Sequence, residues 1–565
     1  MTSQTASLPT FSLPQLPSLV QGGAALLWLP QAALLAWTLQ VLLDGQAWQA
    51  AWLPAAGVML LGVLRALAEA WGARRMFAAA RAHLSRLRLE AATSLSQRSP
   101  LDRQRTGSGQ AASMLAEQAE AVVPYLVRYQ PARWKVLTVP LVILAAVLPL
   151  SWVAALVLLI AAPLIPVFMA LVGMGAQAAS RAQMVERGSR NAFLLDRLRG
   201  LATLRALDAV DATARRLGAS AQSLRLRTMR VLRIAFLSSA VLELFSALGV
   251  AMVAAYIGFT LLGTFHFGTW GQTLNLGQGL FILLLAPAFF EPLRELAAVW
   301  HDKASGAAGL AGLQELASAG VSLPGAGGQV PEMAPGIVPD RTAPPALVID
   351  QLTFAHAGEA PLFDGVDLQV RAGEHVALLG ASGAGKSTLL SLLAGLLPID
   401  GGRIVIGGVV LNDASANTLR QRMALMGQRP HVFAASVSHN VTLGRSGADA
   451  DAAGVRSALQ LAGLGGVAQA QPAVMLADGG HGLSGGEAVR LALARVAVLP
   501  QADLLLIDEP TAHLDSETAA RVTDALLQLG RGKTMVVATH DPVLASRMQR
   551  SISLDGQAAM AGEAA

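Results

Sequence analysis

A chain of 565 residues that is 53% hydrophobic and only 14% charged, with a mean hydropathy of +0.49, is too apolar for a soluble protein of this size. Its net charge of +5 does not point to nucleic acid, because the arginines fall between apolar segments and form no single tract. Cysteine is absent, which excludes disulfides, thiolate metal sites and cysteine nucleophiles. The opening "MTSQTASLPTFSLPQLPSLV" lacks the basic region and small-residue cleavage site of a secretory signal and is expected to be retained.

From Leu19 to Lys303 come six apolar stretches, each near the ~20 residues a helix needs to cross a bilayer core of ~30 Å. They centre on Leu27–Leu43, Leu53–Trp71, Val136–Leu150, Val153–Val172, Ile234–Leu262 and Leu280–Val299. The third and fourth nearly merge at "LPLSW", where two spans joined by a tight turn fit the length better than one. Connections after the first, third and fifth stretches hold no Lys or Arg. Those after the second and fourth hold Arg74, Arg75, Arg81, Arg86 and Arg88, and then Arg181 through Arg216. By the positive-inside rule the long connections, and with them both termini, are expected in the cytoplasm. Apolar spacing such as "FLLDRLRGLATLRAL" predicts that spans two to five continue as helices beyond the bilayer.

"GVSLPGAGGQVPEMAPGIVPDRTAPP" is a Gly/Pro-rich boundary, after which short β-rich runs alternate with helical patterns. The expected organisation is a helical membrane domain over 1–318, a linker over 319–345 and an α/β domain with a mostly parallel sheet over 346–565.

Within the last of these, Gly380-Ala-Ser-Gly-Ala-Gly-Lys-Ser387 lies between the strand-like "HVALL" and the apolar helix "TLLSLLAGLL". That is the strand, loop and helix context in which G-x-x-x-x-G-K-[ST] cradles phosphates. Gly380, Gly383 and Gly385 let backbone amides close round phosphate oxygens, with Ser382 and Thr388 beside them. Lys386 supplies a cation to the outer phosphates, and Ser387 offers a hydroxyl to Mg²⁺. Downstream, the buried-strand pattern Leu504–Ile507 delivers Asp508 and Glu509. Asp508 is expected to orient the Mg²⁺ shell, and Glu509 to polarise the attacking water. His540, after "TMVVAT", can reach the γ-phosphate of ATP from another strand end.

"LSGGE" (Leu483–Glu487) opening the helix "AVRLALARVAVL", together with "DEPTAHLD", resembles the signature and D-loop of ABC ATPases. With the loop around Gln428 ("MGQRPHVF") and the six-span half, the whole chain is similar to ABC exporter half-transporters. The fold so implied is an α-helical six-span transmembrane domain followed by an α/β P-loop ATPase domain. The resemblance implies a dimer in which Ser484, Gly485 and Gly486 of one subunit cover ATP held by the other. It also makes Gln428 a ligand of the Mg²⁺ shell and a catalytic-site residue. Two departures stand out: Glu487 replaces the family's usual Gln, and His356 stands where an aromatic normally stacks on adenine.

In the membrane half, "APLIPVFMALVGMGA", "FLLDRLRGLATLRA", "RTMRVLRIAFLSSAVLELFSALGVAMVAAYIGF" and "LLLAPAFFEPLRELAAVWHDKASGAAG" resemble the CydD subunits of CydDC transporters, which serve cytochrome bd assembly. This implies a CydC-like partner in a bacterial inner membrane and export of thiol reductants (cysteine, glutathione), or of haem. A homodimeric lipid or drug exporter and an ATP-gated regulatory subunit are the competing readings. Counted from the outer side near Gly279, a helix rising 1.5 Å per residue puts Glu291 about 18 Å deep and Arg294 about 22 Å deep, with His301 at the inner edge. These residues, with Arg65 and Glu243, are expected to face the dimer cavity, where an anionic cargo would suit the arginines and His301 could approach a haem iron.

Overall fold

Apolar runs longer than a bilayer is thick fold as long helices, and the alternating runs after the Gly/Pro boundary fold as sheets. The computed structural model describes residues 15–45, 48–103, 105–163, 200–271, 273–318, 320–327, 343–445, 447, 450–477 and 482–555. Two units result: Met1–Thr93 with Thr106–Ser318, and Ser94–Arg105 with Ala319–Ala565. The segment Ser94–Arg105, from the end of the second span's helix, thus groups with the second unit, which the sequence reading did not anticipate.

The first unit is helical. Its main helices are α1 (Gln15–Leu26), α2 (Trp28–Leu43), α3 (Trp52–Gln97, entering the second unit at Ser94), α4 (Ser108–Ala116), α5 (Gln130–Val147), α6 (Trp152–Pro163), α7 (Val210–Leu261), α8 (Leu276–Ala298) and α9 (Trp300–Ala317). Among the described residues four helices are long and apolar enough to cross a membrane: Leu16–Leu43, Trp52–Gln97, Ala240–Leu261 and Leu276–Ala317. The expected third and fourth spans correspond to α5 and α6, separated by a turn over Leu148–Ser151. Ser151 fixes that turn by donating to the Gly268 carbonyl at 2.8 Å, and the Tyr256 hydroxyl donates to the Phe267 carbonyl at 3.0 Å. Gly268 has φ 98°, and a Cβ there would come within 2.2 Å of the Tyr256 hydroxyl, so both conformation and space require glycine. The expected continuation of the second and fifth spans is seen in α3 (46 residues) and α7 (52 residues). The remainder of the fourth span, with Arg181, Arg187, Arg190, Arg197 and Arg199, lies outside the described residues, as does most of the 319–345 linker.

The core of this unit forms where Ile282, Leu285, Ala286, Phe289 and Phe290 of α8 meet Val139 and Ile143 of α5, Leu158 of α6 and Ile257 of α7. Close approach is set by small residues: a Cβ at Gly249 would come within 2.6 Å of Phe290. By contrast α3 leaves Leu53, Met59, Leu60, Val63 and Leu67 exposed within this chain, as a lipid-bathed or subunit-facing helix does. Helix α8 starts with a capping box, in which the Asn275 side chain accepts from Gln278 N at 2.7 Å and Gln278 Oε1 accepts from Asn275 N at 3.2 Å. It ends at Ala298, and Val299 (φ −100°, ψ 7°) separates it from α9.

The second unit carries an antiparallel sheet, β2-β1-β4-β5, made of β1 (Leu347–Ala355), β2 (Pro361–Val370), β4 (Gly401–Ile406) and β5 (Val409–Val410). Its larger sheet has the order β6-β7-β8-β3-β9, from β3 (His375–Leu379), β6 (Met423–Met426), β7 (Leu504–Asp508), β8 (Thr534–Ala538) and β9 (Arg550–Ser553), all parallel. Strand β7 is buried on both faces: Leu505 and Ile507 enter one core, Leu504 and Leu506 the other. Burying such side chains contributes about 1.5–3 kcal/mol each, so this sheet is the rigid platform for the loops at its carboxyl edge.

Candidate functional site

Parallel register brings the chemistry to one edge. Asp508 pairs with Ala538 across β7 and β8, and Leu378 pairs with the same Ala538 across β3 and β8. The loops leaving these strands therefore start side by side. They carry Gly380–Ser387 after β3, Glu509 after β7 and His540 after β8, while Gln428 follows β6, the neighbour of β7.

The Gly380–Ser387 loop ends at Gly385, which caps α10 (Lys386–Leu393) in the left-handed conformation at φ 89°. A Cβ on Gly385 would run to 2.8 Å from Phe363, whereas one on Gly383 (φ 92°) would meet nothing within 4 Å, leaving space above the loop for a phosphate. Lys386, buried, donates to the carbonyls of Gly380 at 2.7 Å and Ala381 at 3.1 Å, and its Nζ is 3.9 Å from Glu509 Oε1. On the other side His540 Nδ1 sits 2.6 Å from Glu509 Oε2, and the His540 backbone N–H donates to the same oxygen at 3.3 Å. Glu509 is only 9% exposed and adopts φ 48°, a backbone conformation costing a non-glycine residue about 1–3 kcal/mol. Strain at the end of an otherwise regular buried strand aims this carboxylate across the loop.

Asp508 tests whether the site suits Mg²⁺. Its Oδ1 is buried and, among the described residues, has no hydrogen-bond partner. Burial pushes the carboxyl above the usual carboxylate range, only partly offset by the Ser387 hydroxyl bonded to it. An orphaned anionic oxygen beside a serine hydroxyl is a donor set that a hard divalent cation completes, so the residues fit Mg²⁺.

The structure thus joins Lys386, Ser387, Asp508, Glu509 and His540. Ser382 is exposed at the loop tip and Thr388 half-buried in α10. The remaining nucleotide-site candidates stand apart from that group among the described contacts. Gln428 is exposed, and His356 is half-buried with its ring edge-on to Phe354 at 5.0 Å. Ser484 caps α11 (Gly485–Ala497), leaving Ser484 and Gly485 exposed and Gly486 under Leu514. Glu487 is drawn into this cap: its Oε2 accepts from Ser484 N at 2.7 Å while Glu487 N donates to Ser484 Oγ at 3.3 Å. The departure at this position therefore serves the helix terminus.

Sequence reasoning missed several supports. Asp555 accepts the Ala381 N–H at 2.8 Å, and Asp541 accepts the Thr511 hydroxyl at 2.9 Å, tying the Glu509 and His540 loops together. Asp541 before Pro542 carries a helix-start signature that could have been read; Asp555 carries none. Arg103, in the Ser94–Arg105 segment, forms an ion pair with Glu359 in the turn that bears His356, and Ser99 donates to the Leu396 carbonyl at 2.6 Å.

In the first unit, Arg294 lies 3.5 Å from Glu291 and 3.7 Å from Glu243 of α7, which brings three of the expected intramembrane residues together. Arg65 is engaged elsewhere, bonded to Glu69 at 3.0 Å with its guanidinium 5.9 Å above Trp28. His301 lies beyond the Val299 break, in the first turn of α9, and is exposed. The tighter pairs here were not foreseen: Lys135 with Glu295 at 3.0 Å, and Arg128 with Asp302 at 3.3 Å.

Residues 363–512 match the ABC transporter family and residues 24–292 the ABC transporter transmembrane region. The chain is 34% identical over 533 residues to the glutathione/L-cysteine transport system ATP-binding/permease protein CydD of Escherichia coli (strain K12), covering 91% of this chain and 88% of that one. It is 31% identical over 453 residues to the CydC protein of the corresponding system of Bacillus subtilis (strain 168), covering 80% and 76%. A bacterial Atm1-family ABC exporter solved with ATP bound superposes with a TM-score of 0.72 at 20% identity, covering 96% of this chain and 92% of that one, a likeness of fold. The chain therefore belongs to the ABC transporter family, as a CydD-type half-transporter and multi-pass membrane ATPase whose ATP hydrolysis is coupled to transport.

Proposed function

We propose that this chain pairs with a CydC-like half-transporter in a bacterial inner membrane, both termini cytoplasmic, and exports small thiols such as cysteine and glutathione. The observation that carries the ATP-driven part is the convergence of Lys386, Ser387, Asp508, Glu509 and His540 on one sheet edge. The cargo rests on the relatives' names and on the charged cluster in α7 and α8. Glu509, held between Lys386 and His540, takes the proton of the attacking water. Lys386 leaves its carbonyl partners to neutralise the outer phosphates, and His540 steadies the γ-phosphate. Ser387 and Asp508, with Gln428 from the neighbouring loop, would hold Mg²⁺, which supplies charge neutralisation across the phosphates. Ser484, Gly485 and Gly486, at an exposed helix start apart from the Lys386 group, are offered to nucleotide on the partner. His356 takes the base-side position as a weaker stacking surface.

On the transport side Glu243, Glu291 and Arg294 line the pathway, with His301 in the first turn of α9 and Arg65 as a separate pathway cation. A second reading, haem as cargo or ligand, draws on the exposed imidazole of His301. Inside-out vesicles holding this chain and its partner test both. ATP-dependent uptake of labelled L-cysteine or glutathione is expected; no thiol uptake, together with a haem absorbance shift lost in His301→Ala, would replace the thiol reading by haem. A stable, active complex formed without any second subunit would replace the heterodimer by a homodimer.

A further inference from the structure

We infer that Glu243, Glu291 and Arg294 form a receptor for a zwitterionic α-amino-acid headgroup, the two carboxylates taking the ammonium and the guanidinium the carboxylate. This rests on the reading of the chain as a small-thiol transporter and states what part of the cargo it grips. On sequence grounds Arg294 suits any anion, but the structure surrounds it with two carboxylates, so the cluster carries a net negative charge. A purely anionic cargo would be repelled by two of the three groups. Counted from the outer side near Gly279, within α8, Glu291 lies about 18 Å along the helix axis. At that depth exposed charges belong to a water-filled route and not to a lipid-facing surface.

The pairing is also unfinished. Contacts of 3.5 and 3.7 Å are longer than the ~2.7–2.9 Å of a charge-assisted hydrogen bond, and Arg294 makes no hydrogen bond to any described residue. Lys135 and Glu295, the residue that follows Arg294, close to 3.0 Å and show what a satisfied pair in this unit looks like. The Arg294 fork is thus still open to a carboxylate in bidentate geometry, while Glu243 and Glu291 approach from two different helices and can share an ammonium.

The test uses the assembled transporter in inside-out vesicles and a series of thiols differing at the headgroup. L-cysteine, which has both charges, should be taken up at low concentration roughly tenfold or more better than N-acetyl-L-cysteine, which lacks the ammonium, or cysteamine, which lacks the carboxylate. Glu291→Gln and Glu243→Gln should raise the KM for L-cysteine while leaving that for N-acetyl-L-cysteine unchanged or lower. Arg294→Gln should remove the preference for L-cysteine over cysteamine. Retention of labelled ATP checks that each variant is folded, and the wild-type series stands without any variant. Equal uptake of all three thiols overturns the receptor while keeping thiol transport; uptake of none overturns the transport reading and this assignment with it.

Discussion

The nucleotide pocket and the intramembrane cluster both place acidic and basic groups against each other, yet they are built on opposite plans. In the pocket, Lys386 and Glu509 are nine-tenths buried and Glu509 is contacted from two sides. In α7 and α8, Arg294 and its two carboxylates are loosely spaced, with side chains 41–66% exposed. The first plan suits an invariant ligand whose charge must be met the same way each cycle. The second suits a cargo that must enter and leave, since contacts the protein had already satisfied would have to be broken to admit it.

Breaking the pocket should give the largest effect. Glu509→Gln is expected to lower turnover by about 10²–10⁴-fold while ATP binding persists, measured as phosphate release and nucleotide retention by the assembled complex. Asp508→Asn should abolish Mg²⁺-supported turnover yet raise the stability of the nucleotide-free protein by about 1–3 kcal/mol, read by thermal unfolding, because it removes a buried, unsatisfied charge. The pH dependence has a definite sign. Burial raises the Asp508 carboxyl in the folded state, so the folded chain binds this proton at pH values where the unfolded chain has lost it. In that window stability falls as pH rises, and lowering the pH stabilises the metal-free protein while weakening support by Mg²⁺. Asp508→Asn should flatten both trends.

The contrast between satisfied and open pairs sharpens next. Lys135→Ala, which strands Glu295, is expected to cost about 1 kcal/mol of stability, whereas Arg294→Gln should change it by less and act on cargo selection instead. The smallest effect belongs to the signature helix. Glu487→Ala should cost about 1 kcal/mol or less by opening the capping box, and Glu487→Gln, which can still accept the Ser484 N–H, only a few tenths.

Much of this was legible because it depends on local chemistry. Backbone conformation dictates Gly-rich phosphate loops, and burial on both faces dictates the apolar run that delivers Asp508 and Glu509, so both can be read from a short window. The bilayer fixes span length in the same way, and the turn between α5 and α6 follows from it. What stayed hidden depends on partners distant in the chain. Lys135 and Glu295 are 160 residues apart, and no periodicity links them. Ser94–Arg105 looks like the end of a long helix until Ser99 and Arg103 are seen bonded to Leu396 and Glu359. Glu487 could have been read as a capping partner of Ser484 from their spacing alone, since Ser-x-x-Glu before an apolar helix is a capping-box pattern. The break at Val299 and the meeting of Glu243 with Arg294 likewise needed the packed helices.

The central claim is that hydrolysis at the Glu509 site drives cargo across the membrane. Uptake of labelled L-cysteine into inside-out vesicles, compared between wild type and Glu509→Gln at equal ATP occupancy, tests it most directly. The account predicts sustained ATP-dependent accumulation in the wild type and loss of nearly all of it in the variant. Accumulation at the wild-type rate in Glu509→Gln would contradict it.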